Sequence, residues 1–336
     1  MSKLILPEGY YSPLSQRQTQ RAIKVIKDTF QRDLAKFLNL DRVTAPIFVT
    51  KDSGLNDDLN GVERKVEFDV KELDGCKVEV VQSLAKWKRA ALHKYGYEVG
   101  EGIYTDMNAI RRDDSVDNLH SIFVDQWDWE KVIARSDRTL DYLKDTVRKI
   151  VSAIADTKRK LDAIYPEVAF EIKEEVKFIT TQELEDRYPE LTAKERENAI
   201  TKEYGTVFIM QIGDNLRSGE RHDGRAPDYD DWSLNGDIMF YNEVLGCAFE
   251  ISSMGIRVDK DALMYQLNKS NALNRLDYEY HKCVVNDIYP LTIGGGIGQS
   301  RLCMLLLRKA HIGEVHVSVW SEKTVQQCKE SGIYLL

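Results

Sequence analysis

The sequence predicts an α/β (α+β) protein on three observations. Stretches with apolar residues at helical spacing interleave with short stretches of alternating polarity. Neighbouring strands read as hairpin pairs, and near the end Thr292-Ile293-Gly294-Gly295-Gly296-Ile297-Gly298-Gln299-Ser300-Arg301 forms a glycine-rich connection that opens a helix. At 336 residues the length alone allows roughly two domains. One large sheet also fills such a length, and we expect a single domain over 1–336 with a βααβ insertion at about 171–215.

The elements follow in order. Ser15-x-x-Gln18 is a capping box, and Ile23, Ile26, Phe30, Leu34 and Phe37 make a helical stripe suited to the core or to a dimer contact. Val43 to Val49 reads as a strand with Pro46 at its edge. Residues 53–61 carry the glycine, asparagine and aspartate of a loop. Val62 to Val70 and Lys77 to Val81 form a hairpin around Asp74-Gly75, and a helix runs from Ser83 to about Gly96. On that helix Lys88 falls on an apolar face and needs an anionic partner, whereas Lys86 and Arg89 read as solvated. Strands follow at Gly102 to Ile110 and His120 to Glu130; the second has polar residues on both faces, a violation of simple burial that marks functional sites. A long amphipathic helix covers Asp137 to Ile164. A strand at Val176, two capped helices and a strand at Val207 make the βααβ unit. Residues 221–232 read as a charged, aromatic loop. Asn235 to Phe240 and Cys247 to Ser253 pair as strands, and two helices lead to the glycine stretch.

Composition narrows the function classes. Hydrophobic content of 43% and charged content of 30% belong to a soluble globular protein. No apolar run approaches a membrane span, and the start is too soon broken by Pro7 for a signal peptide, so a cytoplasmic protein without a membrane partner is expected. Five widely spaced cysteines read as reduced thiols, and the six histidines offer no zinc-type pair. A net charge of -8 argues against a broad nucleic-acid surface.

The glycines leave backbone bare for close approach, and a helix start attracts anions, so the stretch reads as the floor of a nucleotide site; taken alone it is equally a tight strand-to-helix connection. A P-loop motif is absent, and a dinucleotide fold needs a βαβ unit for which the residues after Arg301 leave no room. What remains is a site on antiparallel strands holding phosphates with Arg111, Arg257 and Arg301, with Asp237 and Glu250 near enough to share a magnesium ion.

Arg111 with the strand to Glu130, Glu250 with Arg257, and Gly294 through Arg301 resemble the motifs of class II aminoacyl-tRNA synthetases. Together with Ser83-Leu84-Ala85-Lys86-Trp87-Lys88-Arg89, Val124-Asp125-Gln126-Trp127-Asp128-Trp129-Glu130, residues 225–232 and Ser252-Ser253-Met254-Gly255-Ile256-Arg257, they resemble the ammonia-dependent asparagine synthetases (aspartate–ammonia ligases) nearly end to end. The resemblance implies a large, mainly antiparallel sheet flanked by helices, a homodimer formed through the N-terminal helix and neighbouring strands, and no nucleic-acid partner. It implies synthesis of asparagine from aspartate, ATP and ammonia with Mg2+, through a β-aspartyl adenylate. It puts Arg111 and Arg301 at the α-phosphate, Arg257 at the γ-phosphate, Asp237 and Glu250 at the metal, and Leu119, Ser121 and Ser252 beside adenosine. Lys88 and Gln126 would hold the aspartate α-carboxylate, Asp57 with Ser83 its α-ammonium, and the bare backbone of Gly295 and Gly296 would border the substrate. Asp230 would meet the entering ammonia. Residue 2 is serine, so the N-terminal cysteine of a glutamine-using amidotransferase is absent. Relatives would carry a longer polar, glycine-containing connection between Trp232 and Asn235, so either this protein has a trimmed lid or a mobile loop beside the site is left out of the chain, and the second is expected. Two alternatives stand beside this reading: a free-standing synthetase core, and a non-catalytic amino-acid or nucleotide sensor.

Overall fold

A computed structural model describes residues 4–59 and 63–336. Val62 and the last residues of the expected 53–61 loop lie outside them. In chain order the elements are α1 (Gln16–Leu38), β1 (Leu40–Arg42), β2 (Phe48–Thr50), β3 (Glu67–Val70), β4 (Cys76–Val80), α2 (Ala85–Tyr95), β5 (Gly102–Ile110), β6 (Phe123–Val132) and α3 (Leu140–Ile164). There follow β7 (Lys177–Thr180), α4 (Thr181–Arg187), α5 (Ala193–Tyr204), β8 (Thr206–Met210), β9 (Asp230–Asn242), β10 (Cys247–Arg257), α6 (Lys260–Lys269), α7 (Glu279–Val285), β11 (Thr292–Gly298), α8 (Gln299–Leu306) and α9 (Glu322–Glu330).

Eight strands form one sheet in the order β1-β5-β6-β11-β10-β9-β8-β7. It is antiparallel through its centre and parallel only at its two edges, where β1 joins β5 and β7 joins β8. The mainly antiparallel sheet flanked by helices is therefore present. The β7-α4-α5-β8 unit extends one edge of this sheet, and capping boxes at Thr180 and Thr192 start its helices. β2, β4 and β3 make a separate three-stranded sheet.

Helices α1 and α3 cover one face of the large sheet. The α1 stripe, Ile26, Phe30 and Leu34, is fully buried, and Phe30 packs on Trp127 of β6 with ring centroids 4.8 Å apart. Of the same stripe Ile23 is half-buried, and Phe37 at the end of the helix is exposed. Trp127 and Trp129 point into this core, so their neighbours in β6, one residue out of phase, face the opposite side. That opposite side carries the cavity.

Three local expectations differ from the structure. The strand expected at Val43 to Val49 is mostly absent: β1 ends at Arg42 and only Phe48 and Val49 of that span are strand, in β2, while Pro46 lacks the N–H a continuous ladder needs. Lys86 and Arg89 are buried: Lys86 pairs with Asp228 at 3.2 Å, and Arg89 donates to the carbonyls of Val258 (2.8 Å) and Pro290 (2.9 Å). Distant segments enclose α2 on the sides that its own periodicity leaves polar. Finally, β9 runs unbroken from Asp230 to Asn242, with the Trp232 N–H donating to Gln266 (2.9 Å) and the Asn235 amide clasping Ile212. Residues 232–235 are ordered strand, so the expected mobile loop is not at this place.

Candidate active site

A cavity of about 520 Å³ opens over β6, β11 and β10. Of the expected residues, Asp57, Ser83, Lys88, Arg111, Leu119, Ser121, Gln126, Asp230, Glu250, Arg257, Gly295, Gly296 and Arg301 all line it. Asp237 and Ser252 do not. A register shift between Glu250 and Ser252 changes the parity of β10, so Ser253 faces the cavity, while the Ser252 hydroxyl is buried without a hydrogen-bond partner among the described residues.

The glycines have a more specific reason than bare approach. β11 lies between β6 and β10, with Gly294 opposite Glu130 and Gly296 opposite Asp128. A Cβ on Gly294 would fall 2.0 Å from Glu130 Oε2, and one on Gly296 would fall 2.3 Å from Gln126 Oε1 and 2.7 Å from Asp128 Oδ1. The glycines make room for the acids and amide of β6. The start of α8 is likewise occupied from within, because the Ser300 N–H donates to Asp125 Oδ1 at 3.0 Å. That helix N-terminus holds a carboxylate of the chain itself rather than an open anion site.

One end of the cavity is a closed ionic network. Lys88, 1% exposed, donates to the Gly295 carbonyl (3.0 Å) and lies 3.3 Å from Asp128 and 4.0 Å from Glu130. The Arg257 Nε and Nη2 grip Glu130, at 2.7 Å for Nη2, while its Nη1 donates to Asp230. Thr292 Oγ1 donates to Glu130 at 2.7 Å. Burial alone would raise Glu130, but the Arg257 guanidinium and the Lys88 ammonium outweigh it and hold the carboxylate below its usual range. Burial lowers Lys88, with Asp128 and Glu130 opposing. Arg257 is 2% exposed and engaged by two acids, so a γ-phosphate grip from this position has no free guanidinium edge to use. Asp230 is tied to the same arginine.

Beside this network Asp57 is 2% exposed, and its Oδ2 has no hydrogen-bond partner among the described residues. Burial pushes its carboxyl above the usual range, Lys86 opposes the shift, and Asp228 adds to it. An orphan carboxylate oxygen in a buried wall fits an arriving cation. Asp228 behind it accepts at Oδ2 from Lys86 and Arg275 (2.8 Å) and lies 3.0 Å from His281 Nε2, while its Oδ1 has no hydrogen-bond partner among the described residues; burial would raise its carboxyl, but the Lys86 and Arg275 cations and the His281 hydrogen bond hold it well below the usual carboxylate range.

The other end is more open. Arg301 is 23% exposed in its side chain and donates to the Glu250 carbonyl at 3.1 Å, with the Glu250 carboxylate 3.5 Å away. Arg111 donates to the Gln82 carbonyl at 3.1 Å. The loop before β6 is fastened by Asn118, whose amide donates to the carbonyls of Ile5 and Ala310 at 2.8 Å each, which places Leu119, His120 and Ser121 along the rim. No group of three or more His, Cys, Asp or Glu among the described residues forms a ready metal cage. A magnesium ion on a nucleotide needs only one or two carboxylates. Glu250 faces the cavity; Asp237 is 4% exposed behind Arg225, which donates to its Oδ1. Burial first, and the Glu250 carboxylate next, push Asp237 up to about 7 against the pull of Arg225. The two acids fit the ion once Arg225 withdraws.

Asp128, Glu130, Ser253 and Arg225 were missed as site residues. For the first two the signal was present, since they continue the alternation of Gln126 along β6. Ser253 and Arg225 depend on a bulge and on a loop return that have no local signature.

Comparison with known proteins gives the family. The profile described as aspartate–ammonia ligase matches residues 17–332. The chain belongs to the aspartate–ammonia ligase family. It is 58% identical over 336 residues to the enzyme of that name from Ruminiclostridium cellulolyticum, covering 100% of both chains. It is 59% identical over 326 residues to that of Bacillus cytotoxicus, covering 97% of this chain and 99% of the relative. Among solved structures it resembles asparaginyl-tRNA synthetase from Entamoeba histolytica in complex with asparaginyl-adenylate (TM-score 0.63, 15% identity, 90% of this chain and 66% of that one). A similar match is the Pyrococcus horikoshii enzyme (TM-score 0.61, 18% identity, 89% of this chain and 68% of that one). The chain spans about two thirds of the length of these synthetases, and the likeness is one of fold.

Proposed function

We infer that the protein makes L-asparagine from L-aspartate, ammonia and ATP. A side-chain carboxylate oxygen of aspartate attacks the α-phosphorus and pyrophosphate leaves. Ammonia then attacks the carbonyl carbon of the mixed anhydride, loses a proton and expels AMP. The observation that carries this reading is the division of a single cavity. Its closed end offers a buried lysine and an orphan carboxylate for the two charges of an amino acid, and its open end offers arginines for a polyphosphate.

In this reading Lys88 and Gln126 receive the α-carboxylate and Asp57 receives the α-ammonium, so the aspartate side chain turns toward the nucleotide. Arg257 orients Glu130 and Asp230 rather than touching the γ-phosphate. Arg111 and Arg301 stabilise charge at the α-phosphate, where fixed cations act most strongly in the transition state. Asp237 and Glu250 would hold Mg2+, which supplies further neutralisation of the phosphates when bound. Asp230, held by Arg257 in the closed end, would meet the entering ammonia; an Asp230→Asn variant with unchanged ammonia dependence would remove that role. Among the described residues no helix is long and apolar enough to cross a membrane, which accords with a cytoplasmic enzyme. Homodimerisation belongs to the same reading: the three-stranded sheet leaves Phe48 and Phe68, each 42% exposed, packed edge to face on its surface, and sedimentation of the purified chain tests it.

The deciding assay is aspartate-dependent exchange of pyrophosphate into ATP, followed by addition of ammonia, glutamine or tRNA. Exchange with asparagine formed from ammonia is expected. Acylation of tRNA would favour a synthetase, and absence of exchange a sensor.

A further inference from the structure

Arg225 has no role in the scheme above, yet it stands between the cavity and one of the two acids proposed for the metal. Its side chain is 13% exposed and lines the cavity; Asp237, its partner, does not. Its Nη2 donates to Asp237 Oδ1, while its Nε is buried with no partner among the described residues. The chain just beyond it is fixed. The Ala226 carbonyl accepts from Trp232 Nε1 (3.3 Å), the Pro227 carbonyl accepts from Gln266 (3.0 Å), and Asp228 is held by Lys86, Arg275 and His281. Just before it Asp223 and Gly224 are exposed. A guanidinium on the last free residue before an anchored segment can swing while the anchored segment stays.

We propose that Arg225 is an exchangeable latch: in the empty enzyme it covers Asp237, and on nucleotide binding it leaves Asp237 for the β- and γ-phosphate oxygens. The argument is one of charge. Opening a buried ion pair by itself strands two charges and is strongly unfavourable. When a polyphosphate and a divalent cation arrive together, each buried charge changes partner and neither is left bare. Arg225 takes phosphate oxygens, and Asp237 takes the cation beside Glu250. Metal alone offers Arg225 nothing, so the site discriminates against a free ion and favours the metal–nucleotide complex. Arg257, locked between Glu130 and Asp230, cannot supply that outer-phosphate contact, and Arg225 on the open side can.

The latch rests on the reading that Asp237 and Glu250 hold the metal, and the test separates the two. Mn2+ binding to the full chain is followed by its paramagnetic resonance, with no nucleotide and then with β,γ-methylene-ATP; affinities for AMP and for that analogue are measured alongside. Arg225→Ala should bind free Mn2+ on the order of tenfold more tightly than wild type. It should bind the triphosphate analogue on the order of tenfold more weakly, with AMP affinity nearly unchanged. Arg225→Lys, which restores a cation, should recover part of both effects and serves if the alanine variant is poorly folded. Unchanged Mn2+ affinity in both variants would overturn the latch, and so would equal losses for AMP and the analogue. If Asp237→Asn and Glu250→Gln bind Mn2+ with the analogue as wild type does, the metal assignment itself fails and the latch with it. If those two lose Mn2+ while the Arg225 variants behave as wild type, the latch alone fails.

Discussion

The two ends of the cavity hold charge in opposite ways. At the closed end Lys88, Asp128, Glu130, Asp230 and Arg257 have side chains no more than 3% exposed and satisfy one another before any ligand arrives. At the open end the Arg301 and Glu250 side chains are 23% and 36% exposed, 3.5 Å apart, and partly committed to backbone. An amino acid brings two fixed charges at a fixed separation, and a rigid frame recognises them without reorganising. A nucleotide brings several charges with a counterion, and the residues that receive it must be able to change partners. The closed end is built to select, and the open end to exchange.

The largest expected effect comes from breaking the closed end. Arg257→Leu leaves Glu130 and Asp230 buried without their guanidinium, which should cost about 3–5 kcal/mol of stability. Urea denaturation should show the midpoint falling with little change in slope, and pyrophosphate exchange should vanish. A variant that unfolds like wild type would mean that the network is not the rigid frame described here.

Breaking the open end should separate activity from stability. Arg301→Ala removes a partly exposed donor, so exchange should slow by about 10²-fold or more while the denaturation midpoint moves little. Retained exchange would remove Arg301 from the adenylation step. A fall in stability as large as that of Arg257→Leu would erase the distinction between the ends.

The same contrast explains what was legible in the sequence. The sheet and its helices follow from periodicity and capping, and every site residue that the family's motifs led us to expect, except Asp237 and Ser252, lines the cavity, although many other residues of its wall were not expected. Where the expectation differed, long-range partners intervened. Lys86 reads as solvated because nothing near it in sequence announces Asp228, 142 residues away. Ser252 and Ser253 exchange roles through one bulge. Arg257 keeps its place but not its assigned contact, because occupancy by Glu130 and Asp230 is a property of packing. Arg225 lies in a stretch whose proline, glycine and acids describe a loop and say nothing of the strand to which that loop returns.

The finest test falls on Asp57, beside the closed end, whose Oδ2 has no hydrogen-bond partner among the described residues. Its carboxyl is raised by burial, so the folded state holds a proton more tightly than the unfolded chain, and ionisation opposes folding. The cost is absent below the unfolded carboxylate range near pH 4, grows as pH rises through the folded value, and is then constant. Asp57→Asn removes it while keeping the shape. The variant should therefore match wild type near pH 4 and be more stable at neutral pH, by about 1 kcal/mol. Its KM for aspartate should rise about tenfold or more in pyrophosphate exchange, since a neutral amide replaces the proposed ammonium partner. A variant that gains stability without losing aspartate would place the α-ammonium elsewhere; one that loses both would mean that Asp57 Oδ2 already has a partner in the empty enzyme, so that the closed end is complete before substrate binds.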